Sequence, residues 1–310
     1  MPLIIPKDLP AYEKLAKENV FLMDAERAKT QDIRPLEIAI LNLMPKKIET
    51  ETHLLRMISN TALQVNIDLL RTKSHDSKNT SKAHLDRFYT TIDQVKNKKY
   101  DALIITGAPV ELLDYEKVNY WEELVTIMEF ARTNVYSTMF ICWASQAAMY
   151  HYYGLDKELY DKKLFGVFSM TLEKLTSLTR GFDDHFYAPH SRYTYVKRED
   201  IEKISEIEIL ASSPEVGVHL AATKDNRFIF VTGHGEYSAK TLDREYKRDR
   251  DKGMDTELPK NYYKDDNPDL GINIRWMAHS NLLFSNWLNY CVYQETPFDL
   301  NNIQEKIIEK

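Results

Sequence analysis

Cysteine is almost missing from this chain of 310 residues: only Cys142 and Cys291 occur. Two thiols far apart in sequence support neither a disulfide framework nor a zinc site built on paired cysteines, and they suit a reducing compartment. Glycine is scarce as well, with nine residues, and none forms the Gly-x-Gly-x-x-Gly or Walker pattern that cradles a nucleotide phosphate. No run approaches the ~20 consecutive apolar residues that span a bilayer. The opening "MPLIIPKDLP" lacks the basic and long apolar regions of a secretory signal. A basic excess is missing too: 41 Lys and Arg stand against 47 Asp and Glu, a net charge of -6. That balance argues against a nucleic-acid partner, which selects a basic face. The short basic run "KNKK" at 96–99 reads as solvated surface. These absences predict a cytoplasmic protein with neither nucleic acid nor membrane as partner.

What is present is the material of a soluble globular chain, 43% hydrophobic and 28% charged. The length supports a substantial core, and no linker divides the chain, so one domain over 1–310 is expected. Strand and helix patterns alternate through the first half. "LEIAILNL" (36–43), "QVNIDLL" (64–70), "YDALII" (100–105) and "VYSTMFI" (135–141) read as strands, and "IETETHLLRMISNT", "YWEELVTIMEFARTN" and "WASQAAMYHYYG" as helices. In the third helix Gly154 marks the stop. In the second, Trp121, Leu124, Val125 and Met128 form the apolar face. Such alternation predicts an α/β fold with a mainly parallel central sheet flanked by helices. Residues 72–90 read as an irregular connection, and 164–232 as several short strands. A helix capped by Ser238 follows, and "WMAHSNLLFSNWLNYCVYQ" is a late helix. Between these two helices, 250–275 is polar and long enough to be a lid or binding loop.

The strand ending "STMFI" runs directly into a helix, and Cys142 sits at the junction. In open α/β sheets ligands bind outside the carboxyl ends of the strands. A helix N-terminus favours thiolate over thiol. Ala144 and Ala147 are small enough for a sharp strand-to-helix turn, the nucleophile-elbow arrangement with Cys in place of Ser. The alternative is a core cysteine, since free Cys is often buried. Cys291, inside the late helix among aromatics, reads as core. A thiol at an elbow needs a base. In "RFIFVTGHGEY" His234 follows another strand at its carboxyl end, and Glu236 could fix the imidazole tautomer. His-x-Glu is not the His-Glu-x-x-His of zinc enzymes, so no metal is expected. "DDHFYAPHSRYT" (183–194) reads as a polar-aromatic loop and a candidate site wall.

Seven stretches spread in order along the chain carry a family resemblance: "LNLMPKKIETE", "TGAPVE", "FICWASQAAM", "LTRGFDD", "APHSRY", "VTGHGEY" and "NLLFSNWLNYCVYQ". In them the chain resembles the homoserine O-acyltransferases of methionine biosynthesis, of the type built on a class I glutamine-amidotransferase-like (flavodoxin-like) three-layer sandwich. The resemblance implies an acyltransferase domain with an N-terminal extension over about 1–34, and a homodimer. It implies Cys142 as acylated nucleophile, His234 as general base and Glu236 as its partner. Lys163, Ser191 and Arg248 match positions that contact homoserine. Lys47 matches a lysine beside the nucleophile, and its loop with the Trp143 backbone would steady the oxyanion. Glu111 matches the position tied to donor choice, Glu going with acetyl-CoA and Gly with succinyl-CoA. The implied reaction passes an acetyl group from acetyl-CoA, a co-substrate and not a bound cofactor, through Cys142 to homoserine; succinyl transfer is the alternative. Gly235 departs from the Pro more usual there and would leave Glu236 a looser hold on His234. Without the resemblance, Lys163, Ser191 and Glu111 read as surface or turn residues. Arg248, ten residues past Ser238 and about 15 Å along a helix, would reach a site only if that helix crosses it.

Overall fold

The computed structural model describes residues 3–17, 22–23, 34–74 and 79–309. Parts of the N-terminal extension expected over about 1–34, namely 1–2, 18–21 and 24–33, lie outside the described residues. The strands, in chain order, are β1 (Leu3–Ile4), β2 (Leu22–Met23), β3 (Leu36–Leu41), β4 (Val65–Leu70), β5 (Tyr89–Thr90), β6 (Tyr100–Ile105), β7 (Val135–Ile141), β8 (Glu158–Leu172), β9 (His185–Tyr195), β10 (Ile207–Ser213), β11 (Gly217–Thr223) and β12 (Phe228–Val231). They form one twisted sheet in the order β2-β1-β4-β3-β6-β7-β12-β11-β10-β8-β9, with β5 pairing β4. From β2 to β12 every pair is parallel; β11, β10, β8 and β9 continue it antiparallel.

Alternation along the central strands explains the layering. Ile38, Ile40, Ile104, Met139 and Ile141 pack into one apolar cluster, while Ala39, Leu41, Leu103, Ile105 and Phe140 pack into another. Both faces of the parallel half are therefore covered, as a parallel sheet requires. Each fully buried Leu, Ile or Val contributes roughly 1.5–3 kcal/mol. The principal helices are α1 (Pro10–Lys17), α2 (Lys47–Ile58), α3 (Lys82–Phe88), α4 (Ile92–Val95), α5 (Trp121–Asn134), α6 (Trp143–Tyr153), α7 (Arg198–Ile201), α8 (Thr241–Asp251) and α9 (Met277–Asn286), the last continuing as a π-helical stretch over Trp287–Tyr293. Gly154 ends α6 at φ 70°, the left-handed cap expected of it. Cys291 is fully buried.

Several expectations need correction. The connection at 72–90 is not irregular throughout: Ser81 caps α3 by accepting from the His84 N–H at 3.3 Å. Residues 183–194 are mostly not a loop but the strand β9, which pairs with β8 in a long hairpin; the short strands expected further along are β10, β11 and β12. On α5 the buried face is Leu124, Ile127, Met128, Phe130 and Ala131, with Trp121 and Val125 only half-buried. Helix α8 begins at Thr241, and Ser238 bonds the Thr241 hydroxyl at 2.9 Å instead of capping the backbone. Within 250–275, Lys260 is laced to β8: its N–H donates to Phe165 O at 3.0 Å and its carbonyl accepts from Val167 N–H at 2.8 Å. Gly166 permits this approach, since a Cβ there would collide with the Lys260 backbone. Tyr262, Tyr263 and Trp276 then bury against Phe165 and Val167 in a third small cluster.

Candidate active site

β7 delivers Cys142 to the carboxyl edge of the sheet, where the chain reverses sharply into α6. The residue sits at φ 53° and ψ −118°, a region costing a side-chain-bearing residue on the order of 1–3 kcal/mol. Hydrogen bonds fix it there. Its N–H donates to Val231 O at 2.7 Å, and its carbonyl accepts from the Ser145 N–H at 3.0 Å and the Ser145 hydroxyl at 2.6 Å. Ala144 and Ala147 are buried against the neighbouring elements, as the tight turn demands. The Trp143 N–H lies in the first turn of α6, where no earlier helical carbonyl can accept it.

Parallel pairing of β7 with β12 sets Ile141 opposite Val231. His234, three residues past the end of β12, thereby comes to the same edge as Cys142. Its N–H donates to Pro189 O at 2.8 Å, its ring stacks on Tyr237 at 4.2 Å, and Nδ1 meets Glu236 Oε1 at 2.7 Å. Nδ1 being taken, the remaining ring nitrogen is left for Cys142. Burial disfavours an imidazolium here. Attraction to Cys142 and Glu236 and hydrogen bonds to both outweigh it, so the His234 pKa lies well above its ordinary value. Gly235 does not slacken this pair: it packs so closely on α9 that a Cβ would lie 2.7 Å from Ser280 Oγ.

Cys142 and His234 open into a cavity of about 610 Å³. Of the residues singled out in the sequence, Glu111, Lys163, Ser191 and Arg248 also line it. Helix α8 does cross the cavity, which brings in Arg248. Asp249 takes Lys163 Nζ at 2.9 Å and Arg248 at 2.7 Å. Burial raises the Asp249 carboxyl, but those two hydrogen bonds hold it below the usual carboxylate range. Ser191 Oγ donates to Glu245 Oε2 at 2.6 Å. Glu111 accepts from Tyr193 N–H at 2.9 Å and stands 3.4 Å from the Thr194 hydroxyl. Burial nonetheless pushes its pKa up against those bonds and the Arg192 charge.

Three of the residues singled out do not line the cavity: Lys47, Trp143 and Glu236, which stands behind His234. The Lys47 ammonium turns to the Asn42 carbonyl, and burial lowers its pKa to about 8; only the preceding Met44, Pro45 and Lys46 reach the cavity. The Trp143 indole is fully buried, tilted against Tyr115 and edge-on to Tyr120. The sequence reading missed Gly107, Glu245, Asp249, Tyr237 and His53. Gly107 leaves room between nucleophile and base: a Cβ there would lie 3.1 Å from Cys142 Cβ and 3.6 Å from His234 Cε1. Its position just beyond β6, in "TGAPVE", was the available signal. Among the described residues no group of His, Cys, Asp and Glu could hold a metal ion, and no helix is long and apolar enough to cross a membrane.

The sequence matches the homoserine O-succinyltransferase family over residues 2–298. It is 57% identical to a homoserine O-acetyltransferase of Bacteroides thetaiotaomicron, over 98% of this chain and all of that one. Against the homoserine O-acetyltransferase of Clostridium novyi identity is 59%, over 96% of this chain and 99% of that one. In fold the chain is similar to a glutamine amidotransferase of Thermotoga maritima, with a TM-score of 0.51 at 12% identity over 83% of this chain and 98% of that one.

Proposed function

The chain belongs to the homoserine O-succinyltransferase family, and from that premise we propose that it is a homoserine O-acetyltransferase working through an acetyl-Cys142 intermediate. The observation supporting this reading is the Cys142 elbow sharing one cavity with His234, whose Nδ1 is held from behind by Glu236. The Cys142 thiolate attacks the thioester carbon of acetyl-CoA, and the carbonyl electrons move onto oxygen. The Trp143 backbone N–H, at the first turn of α6, is the donor available to that oxyanion; in the 44–46 loop Met44 N–H is taken by Asn42 Oδ1 and Pro45 has none. Collapse expels the coenzyme A thiolate, which takes the proton held by His234. The imidazole then accepts the proton of the homoserine hydroxyl as its oxygen attacks the acetyl-cysteine. The second collapse releases O-acetylhomoserine and restores thiolate and imidazolium. Glu236 keeps His234 in the tautomer and orientation both half-reactions need.

Arg248 suits the amino acid's carboxylate, with Lys163 beside it, and Glu245 and Asp249 offer acceptors to its ammonium. The family name and the relatives' names differ in the acyl group, and Glu111 favours acetyl. A succinyl donor ends in a carboxylate, which a second carboxylate in a shielded pocket repels. The reading includes a homodimer in the cytoplasm, which sedimentation and fractionation test. Intact-mass spectrometry tests the chemistry: acetyl-CoA alone should add one acetyl group, absent in Cys142→Ala. Turnover without that adduct would refute the covalent step.

A further inference from the structure

Cations and carboxylates both line the Cys142 cavity, and most are already matched. Lys163 and Arg248 share Asp249, and Arg244 pairs with Glu49. Two lining cations are left over, Lys46 and Lys252. Both are exposed, and among the described residues neither ammonium meets a carboxylate. Lys46 immediately precedes α2, and Lys252 immediately follows α8. The Arg244–Glu49 pair ties the two helices together between them. Lys46 is less than one helical turn from Glu49, whereas Lys252 lies eight residues, about 12 Å, beyond Arg244. The two charges therefore stand apart on the rim, suited to separate anions.

The cavity is also larger than a four-carbon amino acid requires; its volume is that of sites for drug-sized ligands. Apolar Met44, Pro45, Leu112 and Met254 line it together with the two lysines. An apolar surface leading from a buried nucleophile to a rim with two unmatched cations fits one kind of molecule: an acyl thioester on a long uncharged arm ending in phosphates. Resting on the acetyl-CoA reading above, we propose that Lys46 and Lys252 form the phosphate-binding rim of the donor site. They hold the far end of the thioester while the chemistry proceeds at Cys142. A donor without phosphates gains nothing from them.

The test compares two donors, acetyl-CoA and the acetyl thioester of N-acetylcysteamine, which has the thioester and no phosphate. For each, kcat/KM is measured in the wild type, K46A, K252A and the double variant. The ratio of acetyl-CoA to truncated donor should fall about fivefold per lysine, the size of a solvent-screened ion pair, through KM for acetyl-CoA and with KM for homoserine unmoved. K46R and K252R should restore most of it, and added salt should erode the wild-type ratio alone. An unchanged ratio in the double variant, or equal losses with both donors, overturns the proposal. A folded wild type that uses neither donor refutes the acyl-transfer reading itself, a result these variants cannot mimic.

Discussion

Gly107 borders both nucleophile and base, and replacing it by Ala would place one methyl group against each of them. That carbon would lie 3.1 Å from Cys142 Cβ and 3.6 Å from His234 Cε1. Ordinary carbon–carbon contacts run at about 3.5–4.0 Å, so Cys142 must retreat by roughly half an ångström. The elbow resists, since its N–H and carbonyl are both committed to short hydrogen bonds. A displacement of about 1 Å in reacting geometry costs on the order of 100-fold in rate. Half of it, with the methyl also intruding on the path of the incoming carbonyl, should cost about 10- to 100-fold in kcat/KM, or about 1.4–2.7 kcal/mol. Gly107 has none of the positive φ that strains other residues, so thermal stability should change by only a few degrees. Rapid-quench mass spectrometry of acetyl-Cys142 formation and circular-dichroism melting measure the two effects separately. A folded Gly107→Ala variant that acetylates at the wild-type rate would refute the account of the site as tightly spaced.

Three more outcomes follow from the same coordinates. Thr194 bonds Gln146 Oε1 at 2.7 Å and stands 3.4 Å from Glu111; Thr194→Val should therefore lower the acetyl-CoA preference over succinyl-CoA several-fold, and Glu111→Gly should lower it further, both read as ratios of kcat/KM. Gly235→Ala should destabilise by about 1–3 kcal/mol through its collision with Ser280, and Ser280→Ala should recover part of that loss; strict additivity in urea unfolding would contradict the contact. Burial depresses His53 to about 4 and His219 to about 3, and holds His190 well below its usual value. The unfolded chain thus takes up these protons first, so the contribution of these three histidines is complete above about pH 6.5 and is lost as pH falls below it. The raised His234 works oppositely, but its contribution is already full below pH 6.5 and adds no slope there. Each such histidine gives a slope approaching about 1.4 kcal/mol per pH unit once pH is well below 6.5, and urea midpoints that stay level from pH 6.5 to 5 would contradict this.

The elbow was legible because two strong periodicities meet at Cys142, and strand-end position alone brought His234 to the same edge. β9 was hidden for a definable reason. Its inward set, Phe186, Ala188, His190, Arg192 and Thr194, is buried, the alternation broken only at buried Pro189, yet three of the five are polar, so the hydrophobic period of two disappears. Arg192 is tolerated inside because its guanidinium donates to the Thr194 and Val216 carbonyls at 2.5 and 2.9 Å. Helix α3 has only His84 and Leu85 buried, too few to show a period. Asp249 and Glu245 look like members of a solvated charged helix until tertiary packing sets α8 across the cavity. Lys47 shows the converse limit: the family resemblance put it beside the nucleophile, but its ammonium is turned to the Asn42 carbonyl.

The β7–β12 ladder makes the sulfur-to-imidazole gap a gauge set by backbone pitch. Neighbouring strands are held about 4.8 Å apart, and the Cys142 N–H closes the last rung onto Val231. Neither partner hangs on a freely moving loop, so thermal wandering of the surface leaves their separation alone. The same rigidity makes the pair intolerant of frame errors. One residue inserted into or deleted from either strand would turn its side chains to the opposite face and part the two groups, however intact the remaining walls.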